Sequence, residues 1–216
     1  MKRKTLDILV GLGLVVLAGL LLVAGLVLTS NANFANDYVK DQLGQQQIAF
    51  KPAAALTAEE KESACLVKYA GQQLTTGKQA ECYANEFIGL HLKSIAGGKT
   101  YAQLGDVQTE LKAKIAALPK DDPAAVGLQK QLTDTNAARE TVFKGESLRG
   151  LLLTSYGFSE FGVKAGQAAL VAYFAAGLML LLGAAGLIHA AATPATKGFA
   201  VPEPAVKTTS EDLVNA

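Results

Sequence analysis

The chain has 216 residues, half of them apolar and 18% charged, with a formal net charge of +1 at neutral pH. Nucleic-acid binding would call for a basic patch or stripe, and none stands out; an acidic tail of the kind that recruits basic partners is also missing. The near-neutral average conceals two uncharged apolar runs, residues 8–28 and 168–188, on either side of a polar centre of ordinary composition.

In chain order, residues 1–7 carry Lys2, Arg3 and Lys4 directly ahead of the run "ILVGLGLVVLAGLLLVAGLVL". At about 1.5 Å of rise per residue this run makes a helix of roughly 31 Å, matching a hydrocarbon core of ~30 Å. Residues 8–28 are therefore read as transmembrane helix 1, and the basic cluster predicts a cytoplasmic N-terminus. A cleaved signal peptide is the rival reading, because Ser30, Asn31 and Ala32 offer small residues at a plausible cleavage position. Against it, the apolar run exceeds a signal-peptide core of about 7 to 15 residues.

Gly11, Ala18 and Gly25 recur every seven residues in this run, as do Ala169, Ala176, Gly183 and Ala190 in the second. Small-residue stripes let two helix backbones approach closely in lipid. Each stripe is the other's simplest partner; a foreign helix, or the general abundance of Gly and Ala, are the alternatives. Beyond the first run, Phe34 and Tyr38 stand four apart on one helix face, where aromatic anchors at the membrane boundary are expected.

Pro52 breaks that pattern. Thr57 with Glu60 forms a capping box that predicts a helix from there to about Gly71. A further helix is predicted over residues 80–96, stopped by Gly97 and Gly98. Thr100 with Gln103 repeats the capping pattern ahead of Leu104, Leu111 and Ile115, and Pro119 ends that element. Asp122 followed by Pro123 starts another, with Val126, Leu132 and Val142 among its apolar positions. Nothing in the centre alternates with period two over a strand's length. The fold class read here is all-α: two transmembrane helices, a helical hairpin, flanking an extracytoplasmic helical domain over residues 29–163. Transmembrane helix 2 covers residues 164–190, and residues 191–216 form a polar, proline-punctuated tail expected to be disordered and cytoplasmic.

The stretch "GESLRGLLLTSYGFSEFG", residues 145–162, crowds Leu148, Leu151, Leu152, Leu153, Tyr156, Phe158 and Phe161 against the second span. Three readings stand for it: completion of the bundle core, a helix lying in the membrane interface, or a partner contact made by an exposed apolar patch.

Cys65 and Cys82 are the two cysteines, and an oxidising compartment would pair them. The spacing has no CxxC for redox work and no CxxCH for haem attachment. His91, on a Leu-rich face, reads as packing or surface, and His189 as interfacial. The acidic pairs Glu59-Glu60 and Asp121-Asp122 sit where helix N-termini favour negative charge. "GESLRG" is one residue too long for a nucleophile elbow and follows no strand. No catalytic constellation is present, so the expectation is a non-enzyme without a cofactor or metal of its own.

At "TSNANFANDYVKDQL", "ACLVKYAGQQLTTGKQAECYANEFIGLHL" and "GESLRGLLLTSYGFSEFG" the chain resembles a family of small actinobacterial envelope proteins with two transmembrane helices. In topology it also resembles accessory subunits of the actinobacterial respiratory supercomplex, in which cytochrome bcc and cytochrome aa3 oxidase form one assembly. That resemblance implies a non-catalytic role in assembly or stability in the plasma membrane. It implies as partners membrane lipid and integral subunits that carry the haem and copper, with no nucleic acid. The alternative expectation is a two-span envelope sensor whose outer helical domain binds a ligand.

Overall fold

The computed structural model describes residues 2–194 and Gly198; the expected tail lies almost wholly outside them. Among the described residues there is no β-strand, and the all-α reading holds. The long helices are α1, Arg3–Gln45, and α6, Ala124–Ala192. Between them lie α2 (Ala64–Tyr69), α3 (Gly77–Cys82), α4 (Gly89–Ala96) and α5 (Tyr101–Ala116). Both α1 and α6 contain a stretch long and apolar enough to cross a membrane. The chain divides into two compact units, one built from residues up to Val27 and from Ala168 onward, the other from Leu28–Gln167.

In the first unit, the span unit, large side chains such as Leu20, Val23, Phe174 and Leu181 point outward and are mostly exposed, whereas Ala18, Ala169, Ala176 and Ala190 are buried. The buried positions are the small ones because only they permit the backbones to meet. A Cβ placed on Gly11 would lie 2.9 Å from Leu187 Cγ and 3.1 Å from the Gly183 carbonyl, and one on Gly183 would lie 3.0 Å from the Gly11 carbonyl. Gly25 is overlain by the Tyr173 ring, 2.5 Å from where a Cβ would stand. The two stripes thus face each other. Near the chain ends of this pair, His189 Nδ1 and Asp7 Oδ2 are 3.0 Å apart.

The second, central unit closes around Val39 and Leu43 of α1, Leu66 of α2, Leu74, Ala80 and Cys82 of the α3 region, Leu92 of α4, Leu104 of α5, and Val142 and Leu152 of α6. Its start differs from the sequence expectation. Both capping-box bonds form, Glu60 N–H to Thr57 Oγ1 at 3.1 Å and Thr57 N–H to Glu60 Oε2 at 2.8 Å. They close only a 3-10 turn, Glu60–Glu62, and the helix proper waits for Ser63, which is extended and caps Leu66 through its hydroxyl. The helix therefore occupies Ala64–Tyr69 rather than reaching from Thr57 to Gly71. On either side of it, residues 48–51 and 71–74 run alongside each other through the bonds Phe50 N–H to Gln72 O, Leu74 N–H to Ile48 O and Gly71 N–H to Lys51 O.

The next helix starts earlier than expected, because Thr76 and Gln79 make a full capping box ahead of α3. It then loosens into a π-turn, Tyr83–Ile88, before resuming as α4 and ending at Gly97 in the left-handed region, φ 58°. The capping box at Thr100 and Gln103 opens α5 as the sequence predicts. Asp122 accepts from Ala124 N–H at 2.8 Å to start α6, which then passes without a break through the whole 145–162 stretch.

Candidate functional site

Helices α1 and α6, far apart in sequence, build an apolar groove on the central unit. Tyr38 and Gln42 stand four apart on one face of α1, with Gln46 in the turn that follows it; in α6 the matching wall is Leu148, Leu151, Ser155 and Phe158. Between these walls runs a groove of about 380 Å³, floored by Val39, Leu43 and Leu152. None of its lining side chains is charged. Thr154 and Ser155 donate their hydroxyl protons back to the Gly150 and Leu151 carbonyls, at 2.9 and 3.2 Å.

One end of the groove is aromatic. Phe34 and Tyr38 stack with centroids 5.9 Å apart, and Phe158 packs edge-on against both, at 6.2 and 5.6 Å. Such offset and edge-to-face arrangements are the favourable ones for ring quadrupoles.

The seven residues singled out in the 145–162 stretch are thus separated by the fold, with Leu153 packed half-buried against the core. Leu152 belongs to the core. Tyr156 is half-buried and fixed by Lys78, whose ammonium sits 4.6 Å over the ring and 3.1 Å from the hydroxyl. Leu148, Leu151, Phe158 and Phe161 are exposed, Phe161 to 76% and Leu151 to 68%. A straight α-helix turns by 100° per residue, so a run this rich in apolar side chains must place some on each face.

Several devices hold the groove's walls. Cys65 and Cys82 form a disulfide that joins α2 to α3, with their Cα atoms 6.0 Å apart. Arg149 of α6 donates from Nε to the Ala84 carbonyl at 3.0 Å and from Nη2 to Asn85 Oδ1 at 3.3 Å, while Glu146 holds its Nη1 at 2.8 Å. Ala84 and Asn85 lie in the π-turn, so the looser turn offers its backbone to a side chain from another helix. Hydrogen bonds to Tyr156 and Glu160 push the Lys78 ammonium up, securing α3 to α6.

Sequence reasoning named Glu60 as the capping partner of Thr57 but missed that it is the most buried charge of the unit and is paired with Lys51. Glu60 is 1% exposed; its Oε1 takes a 2.7 Å hydrogen bond from Lys51 Nζ, and His91 Nε2 stands 3.9 Å away. Burial works against the carboxylate, but Lys51 and the Thr57 N–H outweigh it and hold the Glu60 carboxyl below its usual range. Lys51 in turn lies 5.1 Å over the Phe87 ring, and His91 Nδ1 is 2.7 Å from the Phe87 carbonyl. The cluster is spent on structure. Nothing near it resembles a nucleophile with its base, and among the described residues no three His, Cys, Asp or Glu side chains gather where a metal could bind.

The groove, its aromatic end and the exposed Leu151 and Phe161 are apolar surface left open on the central unit. Comparison of the chain with family models, with curated proteins and with solved structures finds no match.

Proposed function

We propose that the chain is a non-catalytic accessory subunit of a membrane protein complex, anchored by its two-helix hairpin and engaging its partner through the central unit. The observation that carries this reading is the exposure of Leu151, Phe161 and Phe34 on a scaffold otherwise braced by a disulfide, ion pairs and capped helices. Apolar surface left open on a well-supported frame is characteristic of a contact site. The basic residues Lys2, Arg3 and Lys4 favour cytoplasmic termini, and the Cys65–Cys82 bond suits a central unit on the oxidising, extracytoplasmic side.

In its narrowest form the proposal makes the partner the cytochrome bcc/aa3 respiratory assembly of an actinobacterial plasma membrane, with haem and copper held by the neighbours. The test is affinity purification of the tagged full-length protein from its native membrane in mild detergent, with mass spectrometry and haem absorbance on the eluate. Oxidase subunits at near-equal amounts are expected. A different set of integral subunits would keep the accessory role and discard the respiratory one. Recovery of the protein alone would overturn both and favour a ligand-binding envelope sensor.

A further inference from the structure

A groove of about 380 Å³ lies within the size range of small-ligand sites, which are typically mostly apolar with a few placed polar groups. Here the polar groups are nearly absent from the α6 wall, since the Thr154 and Ser155 protons are committed to backbone carbonyls of their own helix. On the opposite side the lining runs from the Tyr38 ring to the amides of Gln42, in α1, and Gln46, in the turn after it. With no charged side chain in the lining, an ionic ligand would lose its hydration without compensation. The chemistry that fits is an uncharged hydrocarbon chain.

The source of such a chain follows from the helices that form the walls. Helices α1 and α6 are also the two that carry membrane-length apolar segments. Tyr38 stands ten residues beyond residue 28 in α1, Phe158 stands ten residues before Ala168 in α6, and their rings touch at 5.6 Å. The interval on each helix carries an exposed aromatic, Phe34 on one and Phe161 on the other. Along each helix an exposed aromatic therefore comes, in sequence order, between the membrane-length run and the residues that line the groove.

We propose that this groove holds one acyl chain of a membrane lipid, entering past Phe34, Tyr38 and Phe158. The inference rests on the membrane-spanning reading of α1 and α6, and it assigns Leu151 and Phe34 to lipid, leaving Phe161 to the partner contact. A protein side chain or a second copy in the same groove are the competing occupants.

The test uses the full-length protein, purified alone and placed in nanodiscs of phosphatidylglycerol and phosphatidylethanolamine doped with a phospholipid bearing a diazirine in mid-acyl chain. After irradiation, adducts are mapped by peptide mass spectrometry. Adducts are expected in the spans, as proof of insertion, and also within residues 38–48 and 148–158. Ser155→Trp should fill the groove, and Leu151→Gln should place an amide in its wall. Each is expected to lower the groove adducts by about tenfold, the effect of losing roughly two buried methylenes, with span adducts unchanged. Leu151 is exposed, so the second variant leaves the core untouched. Adducts confined to the spans, or groove adducts indifferent to both substitutions, would overturn the proposal. So would a cross-linked dimer through residues 148–158 in place of lipid. Because no partner is present, failure here leaves the accessory-subunit reading to the affinity purification.

Discussion

Glu60 shows how a single buried charge can shape the chain around it. Its carboxylate is held ionised by Lys51 and the Thr57 N–H despite burial. Because its folded pKa is depressed below the ordinary value of 4.5, the stability it contributes is fully present above that value and is lost as pH falls through it towards the lower folded pKa. Denaturation of the detergent-solubilised protein followed by circular dichroism should show this loss, and Glu60→Gln should flatten the profile in that window. At neutral pH the same variant is expected to cost about 1–3 kcal/mol, because Lys51 is left with a weaker acceptor in a poorly hydrated place. An unchanged acid profile would mean that the pair contributes nothing to folding.

Glycines give a second residue-scale test, since their roles differ within one unit. Gly77 lies directly under the Ser159 side chain, with the Tyr156 backbone also close, so a methyl there must push α3 away from α6. Gly150 sits exposed in the middle of α6 with nothing near its would-be Cβ. Gly77→Ala is therefore expected to destabilise by about 1–3 kcal/mol, and Gly150→Ala to stabilise by about 0.5–1 kcal/mol through helix propensity and a less flexible unfolded chain. Thermal melts of the two variants, side by side, decide the point.

At the scale of the elements, α2 has six residues, far too short to persist alone in water, and α3 has six before it loosens into the π-turn. Each is nucleated by a hydroxyl cap, Ser63 and Thr76, and the two are tied by the disulfide across a separation of 17 residues. By the chain-entropy account, replacing both cysteines with serine should cost about 3 kcal/mol. Denaturant titrations with and without reductant should reproduce that difference in the native protein and show none in the double variant.

The same elements mark how far the sequence could be read. The box at Thr100 and Gln103 and the cap at Asp122 gave helix starts correctly because nothing nearby competes with them. The box at Thr57 was equally legible, yet its helix stops within a turn. Ser63 offers a second cap three residues later, and Glu60 is engaged by Lys51, nine residues upstream. The Thr76 box stood in the sequence in the same pattern and needed only to be noticed. The π-turn had no such local sign, since the groups that meet its backbone come from Arg149, some 65 residues on. The groove was invisible for the same reason. Its Leu and Phe residues could be named from the 145–162 run, but which of them face solvent depends on where α1 lies against α6.

For the molecule as a whole, the membrane reading makes a prediction of sidedness. With cytoplasmic termini and an extracytoplasmic centre, a single cysteine introduced at the exposed Gly127 of a Cys65→Ser, Cys82→Ser background should react with an impermeant maleimide in intact cells. One introduced at Lys4 should react only after lysis. The opposite pattern would invert the topology. Reaction at both positions in intact cells would remove the spanning assignment.

The seam of the span unit carries one more consequence, for which changes of length these helices can accept. Gly11, Ala18 and Gly25 on one helix, and Ala169, Ala176, Gly183 and Ala190 on the other, keep a strict seven-residue beat, and the structure turns those positions inward. One inserted residue advances everything after it by about 100° and takes the small side chains that follow off the facing line. Seven inserted residues return the phase to within about 20°. No change of length therefore keeps both the packing phase and the match to a ~30 Å hydrocarbon core: one residue takes the seam out of register, and a whole heptad alters each span by about 10.5 Å.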